Sequence, residues 1–158
     1  MRILTNFLML LLFLSGCLND KYKNVEIDEE ALSNEIYTIV DSLGKHLERL
    51  EYDEYISHYA DSNLTIAKDG VLYLNGQQYY NDWKKRNLER FASIDSFKIT
   101  DHKIYVLNPN DVVFIDSYSE IIDIIDYGPV KNRGVWTGVF HKSEGSWKIV
   151  TEHISHPR

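Results

Sequence analysis

Among the side chains able to move a proton or hold a ligand, Glu152 and His153 stand out. They are adjacent in the run Trp147-Lys148-Ile149-Val150-Thr151-Glu152-His153-Ile154-Ser155, whose branched residues read as a β-strand. Neighbours on a strand point to opposite faces, so only one of the two enters a core. A carboxylate turned into an apolar interior has its pKa raised by desolvation and becomes able to move a proton near neutral pH. The structural alternative for Glu152 is a pairing with Arg133 or a tyrosine hydroxyl that ties the strand down. His153 has the same two readings, and it serves as a base only in the opposite register. His156 lies three residues on and points away from His153, so the two histidines make no metal site. No Ser-His-Asp set, Gly-rich phosphate loop or metal-ligating cluster appears, and neither a cofactor nor a metal is expected. The single cysteine, Cys17, excludes an intramolecular disulfide and a Cys-rich zinc site. A formal charge of −7 argues against a nucleic-acid partner, which needs a basic face. With 11 Tyr, 3 Trp and 6 Phe, the chain can furnish a sizeable core or an aromatic-lined cavity.

Cys17 has a chemistry of its own. Arg2, the apolar run Phe7 to Leu14 and then Ser15-Gly16-Cys17 have the parts of a secretory signal: charged start, apolar middle, small residues at the cut. The run is too short to span a bilayer as a helix, which takes about 20 apolar residues. Leu14-Ser15-Gly16-Cys17 resembles the bacterial lipoprotein signal, in which the cysteine is lipidated. The expectation is therefore a signal peptide over 1–16 and a lipid-anchored polar tether over 17–28. A single domain over 29–158 follows. The protein would then sit in the bacterial cell envelope. Leu18, rather than Asp, after the cysteine favours the outer membrane in a Gram-negative cell.

The elements that must position Glu152 follow from periodicity. Leu32, Ile36, Ile39, Val40, Leu43, Leu47 and Leu50 recur at three- and four-residue steps and predict one amphipathic helix. Tyr52 to Tyr59 reads as a second, short helix. Leu64 to Ala67 and Val71 to Leu74 flank Lys68-Asp69-Gly70 as a small hairpin. Gln77 to Phe91 reads as a third helix with Tyr80, Trp83, Asn87 and Phe91 on one face. Beyond Ala92 the pattern is strand: Ile94 to Leu107, Val112 to Ile125, Lys131 to His141 and Trp147 to Ser155. Asn108-Pro109-Asn110-Asp111, Gly128-Pro129 and Ser143-Glu144-Gly145-Ser146 are the turns. Helices first and a long antiparallel meander afterwards predict an α+β domain with the helices on one sheet face.

This order resembles the nuclear transport factor 2-like superfamily. It is most similar to the SnoaL-like branch and to the association domain of calmodulin-dependent kinases. The stretch Val139 to Ser155 carries the likeness: an aromatic residue, a charged turn with Gly, Trp, a basic residue, Ile-Val, then His and Ser. Asn108-Pro109 fits as well. The resemblance covers about residues 33 to 157. It implies a curved sheet wrapped around the long helix, a conical cavity as in a cystatin-like α+β barrel, and a homodimer through the sheet. It implies no activity, because the fold hosts many. In the kinase association domain the cavity holds arginines. The matching positions here are Ser119, Gly138 and Ile154, so a cationic cavity is not expected.

Which side chains enter that cavity depends on the last turn. A two-residue loop pairs Ser143 with Ser146 and places Trp136 opposite His153. A three-residue loop pairs Lys142 with Ser146 and places Trp136 opposite Glu152. The resemblance favours the second. Trp136, Gly138, Phe140, Val150, Glu152 and Ile154 then share the inner face. Val135, Thr137, Val139, Ile149, Thr151 and His153 share the outer face. Tyr59, Tyr80 and Trp83 cover the cavity. The expected ligand-binding set is Tyr59, Tyr80, Trp83, Ser119, Trp136, Phe140 and Glu152, with Glu152 and His153 as the candidates for catalysis. The tryptophans also read as core and interface residues. The expected function is a membrane-tethered module that binds a small, mostly apolar or neutral ligand or assembles as a dimer, without chemistry. The alternative is an isomerase, lyase or cyclase using Glu152 or His153 for proton transfer.

Overall fold

The computed structural model describes residues 27–157. The expected signal peptide over 1–16, the lipid-bearing Cys17 and nearly all of the tether lie outside them. Helix α1 runs Glu29–Glu48. Asp28 caps its start by accepting from the Ala31 N–H at 2.9 Å, and Glu29 and Glu30 favour the positive end of the helix dipole. Its buried stripe is Ile36, Val40, Leu43 and Leu47. The helix ends where Leu50 adopts a left-handed conformation, φ 56°. Helix α2 covers only Tyr52–Ser57, shorter than the periodicity predicts. The chain beyond it is taken up by the sheet. Ile149 N–H donates to His58 O, and Ala60 N–H donates to Ile149 O, each at 2.9 Å, which seats Tyr59 against the last strand.

Strands β1 (Thr65–Lys68) and β2 (Val71–Tyr73) form the small hairpin. Helix α3 spans Gly76–Arg90 and is capped by Asn75, which accepts from Gln78 N–H at 3.1 Å. Four long strands follow: β3 (Phe91–Asn108), β4 (Asp111–Ile124), β5 (Gly128–Ser143) and β6 (Ser146–Ser155). The sheet order is β2-β1-β6-β5-β4-β3, antiparallel except where β1 joins β6 in parallel. The expected α+β architecture, a curved sheet with the helices on one face, is the one observed. The parallel docking of β1 is a tertiary feature that the local pattern did not predict. The core lies between the helices and the rows of side chains that cross the sheet. Ile66, Glu152, Gly138 and Phe114 make one such row, and Ile154, Trp136 and Asp116 the next.

The β5–β6 turn corrects the register argument. It has two residues, Glu144 at φ 52° and Gly145 at φ 81°, and Ser143 pairs with Ser146. Two left-handed residues match the twist of the flanking strands. Taken alone, this turn would place Trp136 opposite His153 and turn Glu152 outward. A β-bulge at Val150 prevents it. Phe140 pairs with Ile149 and Val139 with Thr151, leaving Val150 as the extra residue. Beyond the bulge, Trp136 faces Ile154 and Gly138 faces Glu152. Glu152 is therefore turned inward and fully buried. Ile149, expected on the outer face, is buried in the core, and Val150 takes the bulge position instead.

Candidate functional site

Among the described residues, two polar assemblies lie inside the domain, and the acids of the second border the cavity. The first surrounds Glu152. Its Oε1 accepts from the Tyr80 hydroxyl at 2.5 Å. Its Oε2 accepts from the Tyr59 hydroxyl and from Trp136 Nε1, each at 2.8 Å. Tyr55 extends the group through a 2.8 Å hydrogen bond between its hydroxyl and that of Tyr59. Each donor comes from a different segment: α3, the stretch after α2, and β5. Burial raises the Glu152 carboxyl above its usual range, and the hydrogen bonds from Tyr80, Trp136 and Tyr59 oppose this. Gly138 is required here, since a Cβ at that position would run into the Trp136 ring. The indole lies over the glycine and thereby reaches Glu152.

The second assembly borders a cavity of about 310 Å³ between α1, α3 and the concave face of the sheet. Val40, Leu43 and Leu47 supply its aliphatic side. Tyr55, Trp83, Phe97 and Trp136 supply aromatic walls. Its polar face belongs to β4, where Asp116, Tyr118 and Glu120 alternate with outward residues and so share the inner face. Asp116 is 3% exposed, and its Oδ1 has no hydrogen-bond partner. Burial pushes its carboxyl up to about 7, against a lowering backbone hydrogen bond from Trp136. Glu120 is also raised by burial, and it accepts from Asn132 Nδ2 at 2.7 Å. The Tyr118 hydroxyl and His156 Nε2 are hydrogen-bonded at 3.0 Å. The His156 Nδ1 side faces Asp69 Oδ2 at 3.0 Å, and its backbone N–H donates to Asp69 Oδ1 at 3.0 Å. The β1–β2 turn thereby fixes the last residues of the chain beside the cavity. Among the described residues no group of three or more His, Cys, Asp or Glu side chains could hold a metal ion.

Against this geometry the sequence-predicted residues divide. Trp83 and Trp136 line the cavity. Tyr59, Tyr80 and Glu152 form the sealed cluster behind it, outside its lining. Phe140 is fully buried in the core. Ser119 is half-buried on the opposite face from Tyr118, between Lys98 and Arg133. His153 is exposed on the outer face, opposite Thr137. The cavity wall also takes in Asp116, Glu120 and His156, which the sequence analysis does not place there. A readable signal existed for the first two: Val112, Phe114, Asp116, Tyr118, Glu120 and Ile122 occupy alternate positions of one strand. Two acids therefore sit on its apolar parity. The meeting of His156 with Asp69 had no local signal, because 87 residues separate them.

The family model for the SnoaL-like domain matches residues 36–158, most of the chain and every wall of the cavity. The chain belongs to the SnoaL-like family. Among curated proteins, none matches. This SnoaL-like domain is similar to solved structures of the wider superfamily. A nuclear transport factor 2-like superfamily protein from Salmonella enterica serovar Typhimurium shares 16% identity over 82% of this chain and 93% of that one, with a TM-score of 0.71. A type 2 hexachlorocyclohexane dehydrochlorinase shares 12% over 81% and 86%, with a TM-score of 0.68. The association domain of the Caenorhabditis elegans calmodulin-dependent kinase CaMKII shares 13% over 80% and 97%, with a TM-score of 0.61. At such identities the likeness shows the fold.

Proposed function

We propose that this SnoaL-like domain binds a small, mostly apolar molecule in the cavity between α1, α3 and the sheet. The observation that carries this reading is the cavity itself, about 310 Å³ with aliphatic and aromatic walls and a few converging polar groups. Indole, a compact neutral aromatic, is a suitable probe. Calorimetric titration of the full-length chain with indole should give saturable heat. Leu43→Trp, which places an indole ring of its own in the cavity, should abolish that heat while the far-ultraviolet circular dichroism is kept. Saturable binding that survives the filled cavity would overturn the reading.

A second reading, proton transfer by an isomerase, lyase or cyclase, is supported by Asp116. Burial raises its carboxyl to about 7, and it shares the cavity wall with Tyr118. The dehydrochlorinase similarity is compatible with such chemistry on this fold. Glu152 and His153 are less suited, the first because its oxygens are occupied by three donors and the second because it faces away from the cavity.

Two features of context complete the proposal. Lipid on Cys17 would hold the domain in the bacterial cell envelope, on the strength of the Leu14-Ser15-Gly16-Cys17 pattern. The face turned away from the helices would pair with a second copy of the chain. Exposed Tyr105, Ile121 and Val135 on that face support this pairing, as does the similarity to an association domain.

A further inference from the structure

The polar face of the cavity carries more information than its volume. Asp116 and Glu120 project from the same face of β4, on either side of Tyr118, and both border the cavity. Their surroundings differ. Glu120 is held by Asn132, and the charges of His156 and Lys68 act on it. Among the described residues Asp116 has no side-chain donor and no charged partner, only a backbone hydrogen bond from Trp136. Its Oδ1 is buried without a hydrogen bond, and among the described residues no ion pair reaches its carboxyl. Arg86 and Arg90, the cavity's other cations, stand exposed on α3.

Each class of ligand meets this arrangement differently. An anion would be brought against the buried Asp116 carboxyl and the half-buried Glu120, where water screens the repulsion less than at the surface. A wholly apolar ligand would cover the Asp116 carboxyl while offering it neither a hydrogen bond nor a countercharge. A ligand carrying a protonated nitrogen supplies both the missing donor and the missing countercharge, and charge-assisted hydrogen bonds are the stronger kind. The aromatic walls add to this, because the π-faces of tryptophan and tyrosine attract an ammonium group. Trp136 lies directly across the ladder from Asp116, and both border the cavity.

We propose that Asp116 is the anchor for a basic nitrogen, and that the cavity selects a compact aromatic amine whose ammonium group donates to the Asp116 carboxyl while its ring occupies the apolar part. This rests on the cavity being a ligand site, as proposed above. It goes further by naming the residue that confers selectivity and the chemical class selected.

The test is calorimetric titration of the full-length chain with three probes that share the indole ring: tryptamine, indole-3-ethanol and indole-3-acetate. At about pH 8 the amine is cationic and Asp116 is mostly ionised. Tryptamine is expected to bind about tenfold or more tighter than indole-3-ethanol, with indole-3-acetate weakest of the three. Asp116→Asn keeps the shape and removes the charge. It should bring tryptamine and indole-3-ethanol to within about twofold of each other, mainly by weakening tryptamine. Equal binding of the amine and the alcohol by the unsubstituted chain would overturn the inference, and so would a preference that survives Asp116→Asn. The unsubstituted series decides by itself should the variant not fold. If indole and indole-3-ethanol bind and tryptamine has no advantage, only this inference falls. If none of the indoles binds, the cavity reading falls with it.

Discussion

Two buried acids with opposite surroundings set the chemistry at the scale of single residues. Glu152 accepts three hydrogen bonds, and Asp116 Oδ1 accepts none. Replacing Glu152 by Gln turns one acceptor oxygen into a donor that faces hydroxyl or indole N–H groups. Glu152→Gln should therefore lose about 2 kcal/mol of stability in urea unfolding, through the unpaired buried donors left behind. Tyr80→Phe should lose about 1 kcal/mol by removing one donor. No loss in either variant would mean that the cluster holds nothing together. Asp116 makes the contrary prediction. Its folded pKa of about 7 lies above the ordinary carboxyl value of 3.8, so the folded protein binds the proton more tightly than the unfolded chain does. The stability associated with that proton is fully present below about pH 4 and is lost as pH rises towards about 7. Asp116→Asn should thus match the parent near pH 4 and gain on it up to pH 7, by on the order of 4 kcal/mol, then hold a constant lead. Thermal melts at a series of pH values would show this. Parallel melting curves for the two proteins across the range would refute the raised pKa.

At the scale of elements, the β5–β6 hairpin decides which side chains reach the interior. Its two-residue turn and its bulge each shift the register by one residue, and together they restore the inward orientation of Glu152. Both devices matter to the site because Trp136 and Glu152 must meet across it. Gly138 sits between them on the ladder, under the Trp136 ring. Gly138→Ala should push the indole off its place, break the Nε1 contact with Glu152 and destabilise the fold by about 1–3 kcal/mol. Near-ultraviolet circular dichroism and tryptophan fluorescence would report the displaced ring. An unchanged tryptophan signal would show that the close approach to Gly138 is not what positions it. Helix α1 is held against the same hairpin at its far end. Glu35 accepts from Trp147 Nε1 at 2.7 Å and from Lys142 Nζ at 3.0 Å, and the hydrogen bonds from Trp147 and Lys142 hold its carboxyl below the usual range. The element that roofs the cavity is therefore tied to the hairpin that walls it.

At the scale of the whole molecule, the expectations concern assembly and placement. Self-association through the outer sheet face should appear in sedimentation velocity of the full-length chain in detergent. Val135→Lys combined with Ile121→Lys should shift it to monomer. A monomer for the unsubstituted chain at about 100 µM would count against the interface. Cys17→Ser should abolish labelling by a fatty-acid analogue and release the protein from membranes. Membrane partitioning that the substitution leaves unchanged would sink the lipid anchor.

The local sequence already determined the helices, the four long strands and the α+β class, because apolar periodicity and turn residues act over a few neighbouring positions. Ile36, Val40, Leu43 and Leu47 specify a buried helix face without reference to the rest of the chain. The alternation from Val112 to Ile122 likewise puts Asp116 and Glu120 on the buried side of β4, although two acids on that parity are easily passed over. Tertiary structure alone decided three things. Parallel pairing of β1 with β6 brings Ile66 beside Glu152, and no local pattern encodes which strand a short hairpin will join. The bulge at Val150 sets the inner face, and it is selected by what the core accepts rather than by the turn that precedes it. The cavity has one acid, Glu152, sealed behind it and two, Asp116 and Glu120, on its wall. That division depends on where α2, α3 and the end of the chain come to rest, because a carboxylate's chemistry follows from the donors and the water around it, and these arrive from distant parts of the chain.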